Sequence, residues 1–142
     1  MRNRISKSAW FVALLIVVCI FAFQPQAGQS QGKVGIARIW EGRTSVAKAD
    51  AYERYLEANA VPMLRSNAGN LGLQILRRNN PTFVEFTVIS YWESREAIKK
   101  MTGEDIERAY SLPRDHEFLL EPVRTVRHYV ITYTNTAKLG SM

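Results

Sequence analysis

The spacing of apolar and polar positions changes period several times along the chain. Residues 33–40, KVGIARIW, alternate loosely and include Val, Ile and Trp, which predicts a strand. Glu41 and Gly42 are expected to turn the chain, and Thr44 or Ser45 to cap a helix. From Val46 to about Asn59, Ala47, Ala51, Tyr55 and Ala58 recur at helical spacing, and Tyr52 and Leu56 widen the stripe. Pro62 lacks an amide donor and is expected to bend or end that helix. The 66-SNAGN-70 segment has turn chemistry. Residues 71–78 and 82–92 then read as two strands. Asn79, Asn80 and Pro81 join them so closely that they must be antiparallel neighbours.

Ser94 is a natural first cap for the next helix, with Glu96 in its first turn and Lys99 and Lys100 further on. A second helical piece is expected over 104–110, a short turn over 115–121 and a last strand over 123–134. The order is therefore β-α-β-β-α-β, the ferredoxin-like arrangement of the α+β class, with an antiparallel sheet and its helices on one face. The other face is also expected to be apolar, carrying sets such as Val34/Ile36/Trp40 or Thr82/Val84/Phe86/Val88. One helix layer covers only one face, so a homodimer is expected to bury the second.

The ends of the chain differ from this domain, which spans 33–134. Residues 1–9 hold Arg2, Arg4 and Lys7 and no acid, and residues 10–23 are fourteen unbroken apolar positions. A polar exit follows. Residues 1–30 thus read as a secretory signal, with cleavage after Ser30 or Gly32, and imply a periplasmic or secreted protein. Fourteen apolar residues fall short of the roughly 20 that span a bilayer. Pro25 spoils the site after Ala27, which leaves an uncleaved membrane anchor at residues 10–23 as the alternative. Residues 135–142 read as a flexible tail.

Charge and rare residues narrow the chemistry. The whole chain carries +6, but residues 1–30 hold three of its nineteen basic residues and none of its thirteen acids. The remaining +3 is too mild and scattered for nucleic acid. Arg77, Arg78, Arg114, Arg124 and Arg127 read as solvated or ion-paired, as do Asp115 and Glu121. The only cysteine, Cys19, lies in the N-terminal apolar run. Without it there is no disulfide, thiolate metal site or cysteine nucleophile. Two histidines, His116 and His128, exclude a three-histidine metal centre.

Five segments carry a resemblance: 37-ARIWEGRT-44, 49-ADAYERYLE-57, 69-GNLGLQILRR-78, 88-VISYWESREAIKKMTGEDIERA-109 and 118-FLLEPVRTVRHYVI-131. Together they resemble the antibiotic biosynthesis monooxygenase superfamily over about residues 34–131. The pattern is one of apolar and aromatic positions, with no catalytic signature, so it bears on fold more than on activity. It implies ferredoxin-like subunits paired as a dimeric α/β barrel, with a cavity between sheet and helices in each. Some members oxidise aromatic compounds with dioxygen and no cofactor, and others degrade haem. The haem-degrading branch has an asparagine on the first strand, a tryptophan ending the third and a histidine in the next helix. Trp92 matches. The first strand has Arg38 and Trp40 instead, and the helix has Lys99, Lys100, Met101 and Thr102. The proximal nitrogen is missing there, and only the more distant His116 could replace it.

An exported monooxygenase acting on a small aromatic compound, with no cofactor and no metal, is therefore the leading expectation. A non-catalytic binder of a hydrophobic ligand is the alternative. Trp40, Tyr55, Phe86 and Trp92 are candidate walls of the cavity. Arg38, Asn70 and His128 are candidates to orient or polarise a substrate oxygen. Each has a plainer role open to it. Trp92 can simply anchor the corner between strand and helix, and His128 can be structural. Arg38, charged in mid-strand, can pair with Glu85.

Overall fold

The computed structural model describes residues 35–134. The N-terminal segment 1–30, Lys33 and Val34 of the expected first strand, and the tail 135–142 lie outside the described residues. The described elements run β1 (Ile36–Thr44), a 3-10 turn at Val46–Lys48, α1 (Ala49–Arg65), β2 (Asn70–Asn79), β3 (Val84–Trp92), α2 (Arg95–Thr102), α3 (Asp115–Phe118) and β4 (Arg127–Val130). The four strands form one antiparallel sheet in the order β2-β3-β1-β4, and the helices pack on one face. This is the expected ferredoxin-like arrangement of the α+β class.

Strand parity decides which side chains meet the helices. In β3 every second residue from Val84 to Trp92 is buried. The β1 residues opposite these are Thr44, Gly42, Trp40, Arg38 and Ile36. The core is built from this face and from Tyr52, Leu56, Ala60 and Leu64 of α1, with Ile98 of α2. Tyr52 meets Phe86 edge-on, with centroids 5.5 Å apart. Ser94 caps α2 as expected, its Oγ accepting from the Ala97 amide at 3.1 Å.

Several local expectations need correction. Glu41 and Gly42 do not turn the chain; they sit inside β1, paired with Thr87 and Phe86. Pro62 does not end α1, which continues to Arg65. Pro62 and Ala58, one turn earlier, are both exposed, so the missing backbone bond falls on the side where water can satisfy the carbonyl. Residues 104–110 are not helical. Their backbone groups are used elsewhere: the Ala109 amide donates to Arg124 O, and Glu107 O accepts from the Val126 amide, both at 2.9 Å. The last strand is shorter than expected.

The apolar sets expected on the second face, Ile36/Trp40 and Val84/Phe86/Val88, lie instead on the helix-covered face. The opposite face is mixed. It carries Ile39, Ile89, Tyr91, Leu76 and Tyr129 among Glu41, Arg43, Glu85, Gln74 and Arg78.

Candidate functional site

The middle of the covered face is not filled. Between β1, β3 and α1 lies a cavity of about 60 Å³, walled by Trp40, Leu56, Val88, Met63, Met101 and Val126 among others. Three buried polar side chains reach the same space: Arg38, Ser90 and Asp115. Tyr52 and Tyr110 also line it.

Arg38 points to the helix side because it shares strand parity with Trp40. Only 4% of it is exposed, and among the described residues no carboxylate pairs with it. Its guanidinium is held by neutral acceptors: Nη1 donates to Ile106 O at 2.8 Å and Nη2 to Arg108 O at 2.9 Å. Those carbonyls belong to the segment that fails to become a helix, so a buried cation and an irregular loop satisfy each other. Burial lowers the Arg38 pKa to about 10, partly opposed by Glu107. It remains a cation at neutral pH. The expected partner, Glu85, cannot reach it. Arg38 faces Ser90 across the ladder, and Glu85 pairs with Arg43 on the opposite face.

His128 stands beside Arg38 on β4. Its side chain is 1% exposed, and Nδ1 is buried without a hydrogen-bond partner among the described residues, the nearest carboxylate oxygen, Glu107 Oε1, being 3.4 Å away. Nε2 is 3.3 Å from Arg38 Nη1. A guanidinium only donates, so Nε2 is the acceptor and the imidazole is neutral. Burial and the Arg38 charge both push its pKa down. His128 is not a cavity wall; it supports the residue that is.

Asp115 opens α3 with its side chain turned inward, 6% exposed. Oδ1 accepts from the Tyr52 hydroxyl at 3.0 Å, and Oδ2 from the Leu112 amide at 2.8 Å. Reading Asp115 as surface electrostatics was therefore mistaken. The error is physical: its burial depends on Tyr52, sixty-three residues earlier, and no local pattern signals that contact. Burial raises its pKa, against the lowering effect of the two hydrogen bonds.

Of the seven site candidates, the cavity takes in Arg38 and Trp40 directly. Trp92 is fully buried away from it, with Nε1 donating to Ser90 Oγ at 2.9 Å, and so occupies a corner-anchor position. Phe86 is fully buried core. Tyr55 stacks on Phe118 on the outer side of α1, centroids 5.3 Å apart, and its hydroxyl accepts from the Arg114 amide. Asn70 lines a separate groove between α1 and β2. Its Oδ1 accepts from the Gly72 amide, while Nδ2 is buried without a partner among the described residues. His116 is exposed. Tyr52, Ser90 and Asp115 were missed as a polar set. The helical stripe that includes Tyr52 predicts its place on α1 but not its partner Asp115.

Among the described residues no group of three or more His, Cys, Asp and Glu side chains is placed to hold a metal ion. No helix among them is long and apolar enough to cross a membrane.

The sequence profile of the antibiotic biosynthesis monooxygenase family matches residues 39–110, half of the chain. Two solved structures from Nitrosomonas europaea are similar in fold. One is provisionally assigned as an antibiotic biosynthesis monooxygenase: 21% identity, TM-score 0.51, covering 72% of this chain and 94% of that one. The other is a protein of unknown function, with 14% identity, TM-score 0.55 and the same coverage. At these identities the likeness concerns the fold alone. No curated protein matches.

Proposed function

Because the chain belongs to the antibiotic biosynthesis monooxygenase family, we propose that it binds a small aromatic compound in the Arg38 cavity and oxidises it with dioxygen. One observation carries this reading: a buried guanidinium with no anionic partner among the described residues lines an otherwise mostly apolar cavity. Such a cation lowers the energy of an anionic oxygen placed beside it. An electron-rich hydroxylated ring, once deprotonated, can pass an electron to dioxygen, and apolar walls keep water from the radical pair. For a benzenediol the overall change balances as diol plus dioxygen giving hydroxyquinone plus water.

The cavity also bounds the substrate. About 60 Å³ is less than the roughly 150 Å³ that takes a benzene ring. A ring fits only if the wall yields, and Met63 and Met101 are the flexible wall residues placed to do so. One ring is favoured over several.

The test is oxygen uptake by the purified domain with one-, two- and three-ring phenols and quinols. Labelled dioxygen should place one atom in the product and one in water. Arg38→Lys should keep the sheet and helices, loosen the 104–110 loop and lower turnover tenfold or more, because a lysine cannot span the two carbonyls while facing the ligand. Absence of uptake across the panel removes the catalytic reading. The same cavity then serves a non-catalytic binder, a reading favoured by the lack of any histidine or cysteine among the described residues of its wall.

Two further parts belong to this proposal. Export rests on the basic and then apolar residues 1–23, and cell fractionation with N-terminal sequencing tests it. A homodimer rests on Ile39, Ile89, Tyr91 and Leu76 of the sheet face that the described helices leave uncovered. A monomer by sedimentation at micromolar concentration contradicts it.

A further inference from the structure

Arg38 and Asp115 are opposite charges that line one cavity yet, among the described residues, make no close ion pair with each other or with any other group; Glu107 acts on Arg38 and His116 on Asp115 only at longer range. Neutral groups hold each: two backbone carbonyls for Arg38, a hydroxyl and an amide for Asp115. Buried charges kept apart in this way are costly to the fold. A carboxylate also has about four acceptor positions, and the described protein groups fill two of them. We infer that Asp115 is the residue that recognises the ligand's hydroxyl group and takes its proton, while Arg38 receives the resulting anionic oxygen. This rests on the cavity being the ligand site, as proposed above.

Elimination among the wall residues supports the assignment. Arg38 stays a cation and only donates. The Tyr52 phenol is pushed well above its ordinary range by burial and by the nearby Asp115, so it stays a donor. Its hydroxyl is already aimed at Asp115. Ser90 Oγ is occupied as the acceptor of the Trp92 indole N–H, and Tyr110 brings only a hydroxyl to the wall, so the carboxylate is the wall's best proton acceptor. The titratable and charged groups around Asp115 are Tyr52 on α1, His116 next to it on α3, and Arg38 and Tyr110 in the same cavity. In the step itself the ligand O–H bond breaks and an O–H bond forms on Asp115. The carboxylate becomes a carboxylic acid and the ligand becomes an anion. The proton leaves later with the water formed from reduced dioxygen.

The experiment measures binding without turnover. Benzene-1,4-diol and its dimethyl ether are titrated anaerobically into the full-length protein by calorimetry. The diol should bind about tenfold tighter than the ether, the difference expected between a hydrogen bond to a charged acceptor and none. Acidification through the Asp115 pKa should abolish that preference and leave ether binding unchanged. Asp115→Asn should bind both probes as weakly as wild type binds the ether. Tyr52→Phe removes a hydrogen bond that stabilises the carboxylate, so the pH at which preference is lost should move upward. A preference retained in Asp115→Asn, or a wild-type preference unmoved by acid, overturns the inference. Equal binding of diol and ether overturns it while leaving the cavity reading intact. Failure of both probes to bind wild type removes the cavity reading as well. If Asp115→Asn does not fold, the wild-type pH series and Tyr52→Phe still decide the matter.

Discussion

Trp40 and Trp92 stand on the same face of neighbouring strands, yet their surroundings differ. Trp92 is fully enclosed, and its one polar atom is satisfied by Ser90. Trp40 is only partly buried and faces a cavity shared with two buried charges. At the Trp92 end of the sheet the indole itself is fully covered. Towards the middle, packing is left incomplete and polar groups are concentrated. Burial of a tryptophan therefore says little about function on its own. What separates the two regions is whether a gap and unpaired charge accompany it.

This contrast can be broken first at its strongest side. Trp92→Ala empties a closed site and should cost about 3–5 kcal/mol, seen as a large fall in the denaturant midpoint. If Trp92→Ala instead left stability intact and abolished ring binding, the two tryptophans would have been assigned the wrong way round. A smaller effect is expected at Gly42. A Cβ added there would come within 2.3 Å of Trp40 Cη2. Gly42→Ala should cost about 1–3 kcal/mol by overpacking and change ligand affinity by displacing the Trp40 ring. The same substitution should leave ligand affinity unchanged if Trp40 is not a wall.

The smallest effect concerns pH. His128 is buried beside Arg38, and its pKa is held below the ordinary 6.5, with Arg95 adding to the lowering and Glu107 opposing it. The unfolded chain thus binds this proton more readily than the folded one. The stabilising contribution is full above 6.5 and is lost as pH falls through the lower folded value. Urea titrations between neutral and mildly acid pH should show this slope, and His128→Gln should flatten it.

The sequence shows the frame more clearly than the site. Two helices and a hairpin follow from spacing and turn residues, because those depend on neighbours along the chain, although the packed face of α1 is Tyr52, Leu56, Ala60 and Leu64, while Ala47, Ala51 and Ala58 of the expected stripe are exposed. Arg38 was also legible, as a charge at the wrong place in a strand. Its partners were not. Glu85 seemed the natural choice until register put it on the opposite face, and the actual acceptors are backbone carbonyls that no side-chain pattern reveals. The expected helix over 104–110 fails for the same reason: its hydrogen bonds go to β1 and to residues 124–126 instead of to itself. Asp115 was the furthest from view. It sits in a four-residue helix, and only Tyr52 and Leu112 make it an interior residue.

The link between Arg38 and the carbonyls of Ile106 and Arg108 also bears on how such a protein can vary over generations. The 104–110 loop is neither helix nor strand and depends on that guanidinium for two of its backbone contacts. A change of residue 38 that suited a different ligand would also unfasten the loop. A change in the loop that moved either carbonyl would reposition the charge. Selection for a new ligand therefore acts on both segments together, and drift in one is constrained by the other.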